Sequence, residues 1–469
     1  MKKMRTSILF LTCLTAFADD WTRFRGPNGT GISPDKNLPS EISKDRNVVW
    51  SQKTPKGHSS PIVADGRIFF TGYEGDNRLV QCYSADSGKL LWSREIPKLR
   101  TEVANPNNGP STPTPVADDS SVYIFFPEIG LLSYDFNGKE KWRVPLGPFG
   151  GVQGMASSPI VVEGKVILLV DTPEQAYLAA FAASTGKQVW KLERPVGFLG
   201  SYATPSVWKG EIIVAGAGEL TAYQPATGER LWWARGVTFA PATLPLIAGD
   251  SIYTAEPNAT PPPPFKQMLD QYDKRKEGKI RLADVSDKAT GDAIMLRIFK
   301  AADKVTGNND GILTEDEWNR AFDPKEPAGG LVRTKAGGKG DVTSSNVAWK
   351  YTKGIPYTSS PILYRDVLYL IRNGGILQTF DPASGKLFRE ERLKDAIGDY
   401  YAQPVAGDGK IYFISRDGKT TVLRASADWE KLSSGDLSED VVATPAIAGS
   451  RIYVRTESML YCFGVPVQN

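Results

Sequence analysis

The sequence predicts an all-β fold: an eight-bladed β-propeller closed by a strand from near its N-terminus, with a small all-α insertion in the fifth blade. Three observations predict it. A proline-led strand phrase occurs eight times. A turn phrase ending in Trp follows most copies of it. One interval between copies is too long by about 70 residues, and it falls where strand-like alternation gives way to helical spacing.

In the strand phrase a small or hydroxylated residue precedes Pro, and alternating apolar residues follow. Gly or Asp comes next, and then an aliphatic-aromatic run. The copies sit at Pro61, Pro113, Pro159, Pro205, Pro245, Pro361, Pro404 and Pro445, at intervals of 52, 46, 46, 40, 116, 43 and 41 residues. A period of about 40–50 residues with four strands per unit marks a propeller blade. Pro at the start of a strand removes no ladder donor from its interior. The turn phrase runs from an aromatic through Gly to Trp: Tyr83–Trp92, Tyr134–Trp142, Phe181–Trp190 and Tyr223–Trp232, with Phe380–Arg389 as a variant. Its Gly adopts a positive φ cheaply and makes a tight hairpin. The Trp residues at 92, 142, 190 and 232 are expected to dock blades together. The last copy, Val441–Phe463, supplies only three strands, while Asn47–Ser51 is an orphan strand carrying Trp50. Pairing the two closes the ring and removes the sheet edges.

The long interval holds Pro261–Pro264, a stiff entry, and then helical spacing over Phe265–Tyr272. Asp273–Asp284 follows as a twelve-residue EF-hand frame with Gly278 at position 6 and Ile280 at position 8. A second helix, Gly291–Ala302, precedes another frame. Counting back from Gly311 puts Thr306 at position 1, a poor ligand. Helix phase instead selects Asp303, because Ile298, Phe299 and Ala302 precede it as Met268, Leu269 and Tyr272 precede Asp273. Ca²⁺ takes six to eight oxygens, and this loop offers Asp303, Asn308, Asp310, the Ile312 carbonyl, Thr314 and a bidentate Glu317. The first loop places Arg275 and Arg281 in its ligand ring, which opposes a cation. It is expected to be an empty mate whose Ile280 pairs with Leu313. The alternative for the second loop is a folded remnant that binds no metal.

Met1–Arg5 is basic, Ile8–Phe17 is apolar, and Ala16-Phe17-Ala18 is a cleavage site. This reads as a signal peptide over residues 1–18, too short for the roughly 20 apolar residues of a membrane span. Lipoprotein anchoring at Cys13 is the alternative, weakened by Thr12 before it. The expected chain is therefore periplasmic or secreted, with no transmembrane segment after cleavage. Its expected divisions are 19–264 for the first part of the propeller, 265–322 for the inserted pair and 323–469 for the second part. Removing the leader takes Lys+Arg from 56 to 53, equal to the 53 Asp+Glu. A net charge of zero excludes a global electrostatic case for nucleic acid or anionic membrane. Cys82 and Cys462 occupy the same slot of two blades, are expected to be too far apart for a disulfide, and read as small core residues.

The turn phrase resembles the A-x-D-x-x-T-G-x-x-x-W phrase of the quinoprotein-like, or PQQ-binding-like, propeller family, and the resemblance covers about residues 45–465. Trp21–Ser33 and Gly337–Lys350 resemble segments of such proteins from planctomycete-type bacteria. The dehydrogenases of that family stack PQQ between a Trp and a disulfide of adjacent cysteines, with Ca²⁺ near a catalytic Asp. This chain has no adjacent Cys pair, so PQQ is not expected. The resemblance also includes an outer-membrane assembly propeller that binds its partner through loops on one face. The single His58 excludes His-rich metal sites and leaves little for a Ser-His-Asp triad. His58, Asn108, Met155, Tyr202, Tyr357, Tyr400 and Tyr401 lie just before the innermost strands and are expected at the channel mouth. There they could bind a sugar, a quinone or a peptide edge; ring packing is the alternative. The expected function is an exported, non-enzymatic binding or scaffold propeller with calcium in its insertion. Its partner would be an envelope protein or a small ligand at the propeller face. The rivals are a PQQ-dependent oxidoreductase and a polysaccharide-binding module.

Overall fold

The computed structural model describes residues 20–465 apart from 151–152, 173, 195–199, 217, 239–240, 258–262, 289 and 322–328. The leader, Cys13, Pro261 and Pro262 lie outside the described residues. Eight sheets form the blades, as expected: each has four antiparallel strands, and one of them, blade 4, adds a short fifth. Blade 1 runs from its innermost strand Ile62–Ala64 through Arg67–Glu74 and Asn77–Ser84 to its outermost strand Leu90–Pro97. Blades 2, 3, 4, 6 and 7 repeat that order, starting at Val116, Ile160, Ser206, Ile362 and Val405. Blade 8 takes its outermost strand, Val48–Lys53, from the N-terminal side, where it pairs with Met459–Phe463. The orphan strand thus closes the ring.

Two sets of contacts explain the repeated phrases. The residue before the strand-opening proline, usually hydroxylated, links neighbouring innermost strands; in blade 2 that proline is Pro115 rather than Pro113, and in blade 7 the linking residue is Gln403. The Ser60 amide donates to Thr114 Oγ1 (3.0 Å), Thr114 to Ser158 Oγ (2.9 Å) and Ser158 to Thr204 Oγ1 (3.1 Å). Across the closing seam the Thr444 amide donates to Ser60 Oγ (2.9 Å). Further out, each Trp lies on the turn glycine of the next blade and donates Nε1 to a carbonyl there. Trp92 reaches Phe136 O (2.9 Å), Trp142 reaches Ala183 O (2.8 Å), Trp190 reaches Pro225 O (2.9 Å) and Trp349 reaches Pro382 O (3.2 Å). A Cβ on Gly138, Gly186 or Gly228 would sit 2.7–2.8 Å from the ring of the preceding Trp.

The seam between blades 4 and 5 is built differently. Leu244 stands where the hydroxyl belongs, and Trp232 donates Nε1 to Glu211 Oε2 of its own blade (2.8 Å) rather than to a carbonyl of blade 5. A short strand, Gly340–Asp341, pairs in parallel with Trp232 and Trp233 as a fifth strand of blade 4. Trp208 donates to Gly249 O (3.0 Å) across the same seam. Trp232 is therefore core shared with Ile252 and Val332 of blade 5, although its Nε1 bond stays within blade 4.

In blade 5 the second and third strands, Ser251–Glu256 and Gly330–Lys335, pair directly. The insertion leaves from their connection. It contains α1 (Phe265–Tyr272), α2 (Thr290–Thr306) and α3 (Glu315–Ala321) around their own apolar core of Phe265, Met268, Tyr272, Phe299, Leu313 and Trp318. Ile280 pairs with Leu313 in a two-residue antiparallel bridge, as the sequence predicts.

Candidate functional site

The loops entering each innermost strand and the turns between second and third strands share one face of the ring. The inserted helices leave from that face. The residues expected at the channel mouth divide into two groups there. Met155 and Tyr400 are the correction: both are buried in the packing between blades, Met155 with Tyr123, Phe125 and Phe149, and Tyr400 with Tyr369 and Leu393. The Tyr400 hydroxyl donates to Ala396 O (2.6 Å), so a local carbonyl fixes it away from the channel. Asn108 is tied to the entry loop of the next blade by donating to Gln153 O (2.7 Å).

His58, Tyr202, Tyr357 and Tyr401 remain partly exposed on this face. Tyr357 lies close enough to Tyr202 to raise its phenol, while burial, then Glu256 and Tyr401, raise that of Tyr357. Burial, with Tyr357 and Glu174 nearby, pushes the Tyr202 phenol up to about 12. The Arg416 guanidinium sits 5.5 Å from the Tyr401 ring centroid, pairs with Asp440 (3.2 Å) and donates to Asn107 Oδ1 on the far side of the closing seam (2.5 Å). Burial, reinforced by Arg455 and Arg416, holds the His58 imidazole down at about 4, so it is neutral at pH 7. Its Nδ1 is buried without a partner among the described residues. Arg455 itself is fully buried and donates to Ser59 O (3.0 Å), Thr71 O (2.7 Å) and Pro55 O (3.0 Å). Neither arginine emerged from the sequence, although Arg455 stands inside the eighth strand phrase. The entry loops of this face expose Leu99 (57%), Val103 (46%), Tyr357 (55%) and Ile397 (56%).

The two loops of the insertion differ as their sequences do. In the first, Arg275 pairs with Asp284 through Nε (2.8 Å) and Nη2 (3.1 Å), and Arg281 pairs with Glu277 (2.8 Å). In the second, Gly311 N–H donates to Asp303 Oδ2 (2.9 Å), just as Gly278 N–H donates to Asp273 Oδ2 (2.8 Å). The two aspartates are thus equivalent, and the extra residues after Asp303 continue α2 for one more turn. Asp303 and Glu317 are both buried, and Asp303 Oδ1 has no partner among the described residues. Glu317 accepts from the Thr314 amide (2.8 Å), the Thr314 hydroxyl (2.9 Å) and the Asn308 amide (3.3 Å). Asp310 is exposed and accepts from Asn308 Nδ2 (3.0 Å) and the Ile312 amide (2.8 Å). Among the described residues no three His, Cys, Asp or Glu side chains converge on one point.

The groups that would sandwich a quinone are elsewhere. Cys82 and Cys462 are buried, unbonded thiols paired in register with Trp92 and Trp50 on neighbouring outer strands. Burial pushes both thiols up to about 12. The residues present do not fit the Trp–disulfide stack. Among the described residues no helix is long and apolar enough to cross a membrane.

Comparison with known proteins agrees with this architecture. The outer membrane protein assembly factor BamB of Burkholderia pseudomallei is 22% identical over 65% of this chain and 76% of its own length. A quinate/shikimate dehydrogenase (quinone) of Acinetobacter baylyi is 32% identical, but over only 16% of this chain and 12% of its own. Among solved structures, BamB from Moraxella catarrhalis superposes with a TM-score of 0.54 at 13% identity, covering 90% of this chain and 98% of that one. Quinohemoprotein alcohol dehydrogenase from Comamonas testosteroni gives 0.59 at 13% identity, covering 96% and 81%. These superpositions show the fold alone. The family profile described as outer membrane protein assembly factor BamB matches residues 40–169, 76–257 and 339–465, and the chain belongs to that family of PQQ-repeat propellers.

Proposed function

We propose that this chain is an exported, non-enzymatic scaffold of the planctomycete type, which binds a cell-envelope protein on its loop face. The observation that carries the reading is the four exposed apolar side chains, Leu99, Val103, Tyr357 and Ile397, on the loop face that also carries Arg416 and Tyr401. Exposed apolar groups beside Arg and Tyr have the composition of a protein interface. The opposite face is covered by residues 21–42, which bridge to Val63 and Ala406 and pass under Tyr412 and Thr420. The name of the relatives, outer membrane protein assembly factor, supports the same reading. Residues 1–18 export the chain in this view, and 265–322 form the inserted unit. Cross-linking the purified chain to envelope extract should capture a defined protein, and Leu99→Asp with Ile397→Asp should abolish the capture. Adding PQQ and Ca²⁺ should give no bound quinone spectrum and no dye reduction with alcohols or sugars. Appearance of both would replace the scaffold by an oxidoreductase.

The inserted helices are, in the same proposal, an EF-hand pair in which only the second loop takes Ca²⁺. The unpartnered buried Asp303 Oδ1, facing a loop closed by Glu317, supports that assignment. Asn308, Asp310, the Ile312 carbonyl and Thr314 complete the oxygen set. The Arg275–Asp284 and Arg281–Glu277 pairs put guanidinium charge in the first loop, where a cation would otherwise sit. Calorimetric titration of metal-stripped protein should show one site, lost in Glu317→Gln. No uptake by the wild type would end the calcium reading.

A further inference from the structure

Residues 21–33 place two arginines inside the ring. The segment enters beside blade 1, where Trp21 bridges to Val63, and leaves beside blade 7, where Ile32 pairs with Ala406. Between these points Arg23 Nη2 donates to Pro205 O (2.5 Å) and Arg25 Nη2 donates to Pro361 O (3.0 Å). Those prolines open the innermost strands of blades 4 and 6, next to Thr204 and Ser360 of the hydroxyl ring. The guanidiniums therefore reach from the covered face up to the level of that ring.

The segment is shaped around them. Asn28 exchanges two hydrogen bonds with Val207, at 2.7 and 2.9 Å. A Cβ on Gly31 would meet Arg25 Nε and Nη2 at 3.1 Å, and one on Gly29 would meet Leu244 at 2.6 Å. Both side chains are buried, and burial alone, with no carboxylate contributing, lowers both guanidiniums, Arg23 to about 10 and Arg25 to about 9. Arg25 Nε, Arg25 Nη1 and Arg23 Nε have no partner among the described residues. A buried guanidinium is ordinarily paired with an anion, and its Nε edge is the edge that carboxylates and oxyanions take. The mouth above carries charges of both signs, with Arg416, Lys56 and Arg455 among Asp440, Glu457, Glu174 and Glu256. Two of these carboxylates are engaged by cations, Asp440 by Arg416 and Glu457 by Lys56 (3.0 Å).

We infer that Arg23 and Arg25 form the floor of an oxyanion-binding site in the axial channel, entered from the loop face, which takes a small carboxylate or inorganic oxyanion. The site is independent of the partner surface and of the insertion. Calorimetry of the full chain at constant ionic strength tests it, with succinate and inorganic phosphate as separate probes. Saturable one-site binding of at least one probe is expected, weakened tenfold or more in Arg25→Gln. Which probe binds tells a carboxylate site from a phosphate site. Binding that is absent with both, or unchanged in a folded Arg25→Gln, overturns the inference. Should that variant fail to fold, crystals of the unmodified chain soaked in selenate decide. An anomalous peak within hydrogen-bond reach of either guanidinium supports the site. Water alone at those nitrogens, or a selenate only at surface positions, overturns it.

Discussion

The turn glycine under each docking tryptophan is constrained twice. Gly186 has φ +73° and lies where a Cβ would stand 2.7 Å from the Trp142 ring. That ring cannot yield, because Nε1 is tied to Ala183 O in the same turn. Gly186→Ala should cost about 1–3 kcal/mol, a backbone penalty plus a clash, read as a lower urea midpoint. The sequence shows this glycine as a hairpin residue; its second role, close approach to a neighbouring blade, needs the ring. His58 makes a second prediction at this scale. Its folded value of about 4 lies below the ordinary 6.5, so the unfolded chain binds the extra proton between them. Stability from this group is therefore full above about pH 6.5 and is lost as pH falls toward 4. Arg455 and Arg416 depress it, and Glu457 and Asp440 oppose them weakly. His58→Gln should flatten the melting-temperature slope between pH 4 and 6.5 relative to wild type. Parallel slopes would mean that the imidazole titrates normally.

At the scale of elements, α3 begins with a reciprocal cap. Glu317 N–H donates to Thr314 Oγ1 (3.3 Å) while the Glu317 carboxylate accepts from the Thr314 amide. Thr314→Ala should cost the insertion about 1 kcal/mol and speed amide exchange over 315–321. Blade 5 should not respond, since Glu256 and Gly330 pair directly beneath the insertion. Exchange that rises equally in Ser251–Glu256 would show instead that the two parts unfold together. The insertion was legible because its helices obey a 3.6-residue period and its loops carry residues in fixed slots. The blades were legible through prolines at regular intervals. Trp232 lies in the core between blades 4 and 5, but its Nε1 partner, Glu211 of its own blade, is not legible from the phrase. Met155 and Tyr400 were misplaced because position before a strand gives the face of the ring, not the direction of a side chain. Arg23 and Arg25 sit in a segment that occurs once, so no repeat could reveal where they go.

At the scale of the molecule, the ring is closed by two ends of one chain. Trp50 on Val48–Lys53 lies over Gly88 and donates to Ala85 O (3.3 Å). Trp349 does the same for blades 5 and 6, over Gly385 and onto Pro382 O. The local contacts match, but the topologies differ. Both docking contacts are local in sequence, but Trp50 also pairs with Cys462 and meets the Tyr453 ring (centroids 6.0 Å) across almost the whole sequence, whereas the strand of Trp349 pairs with nearby Leu331–Thr334. Bringing together segments so far apart has a loop-closure cost in every partly folded state, so the closing seam should form last and open first. Contacts that form after the transition state act mainly on the unfolding rate. Trp50→Ala should therefore speed unfolding about tenfold more than Trp349→Ala, while the latter slows folding more. Stopped-flow measurements of both variants over a range of urea separate the two limbs. Equal unfolding rates would mean that the ring opens at no preferred seam, and the blade 4–blade 5 junction, with Leu244 in place of a hydroxyl, would then be the next place to probe.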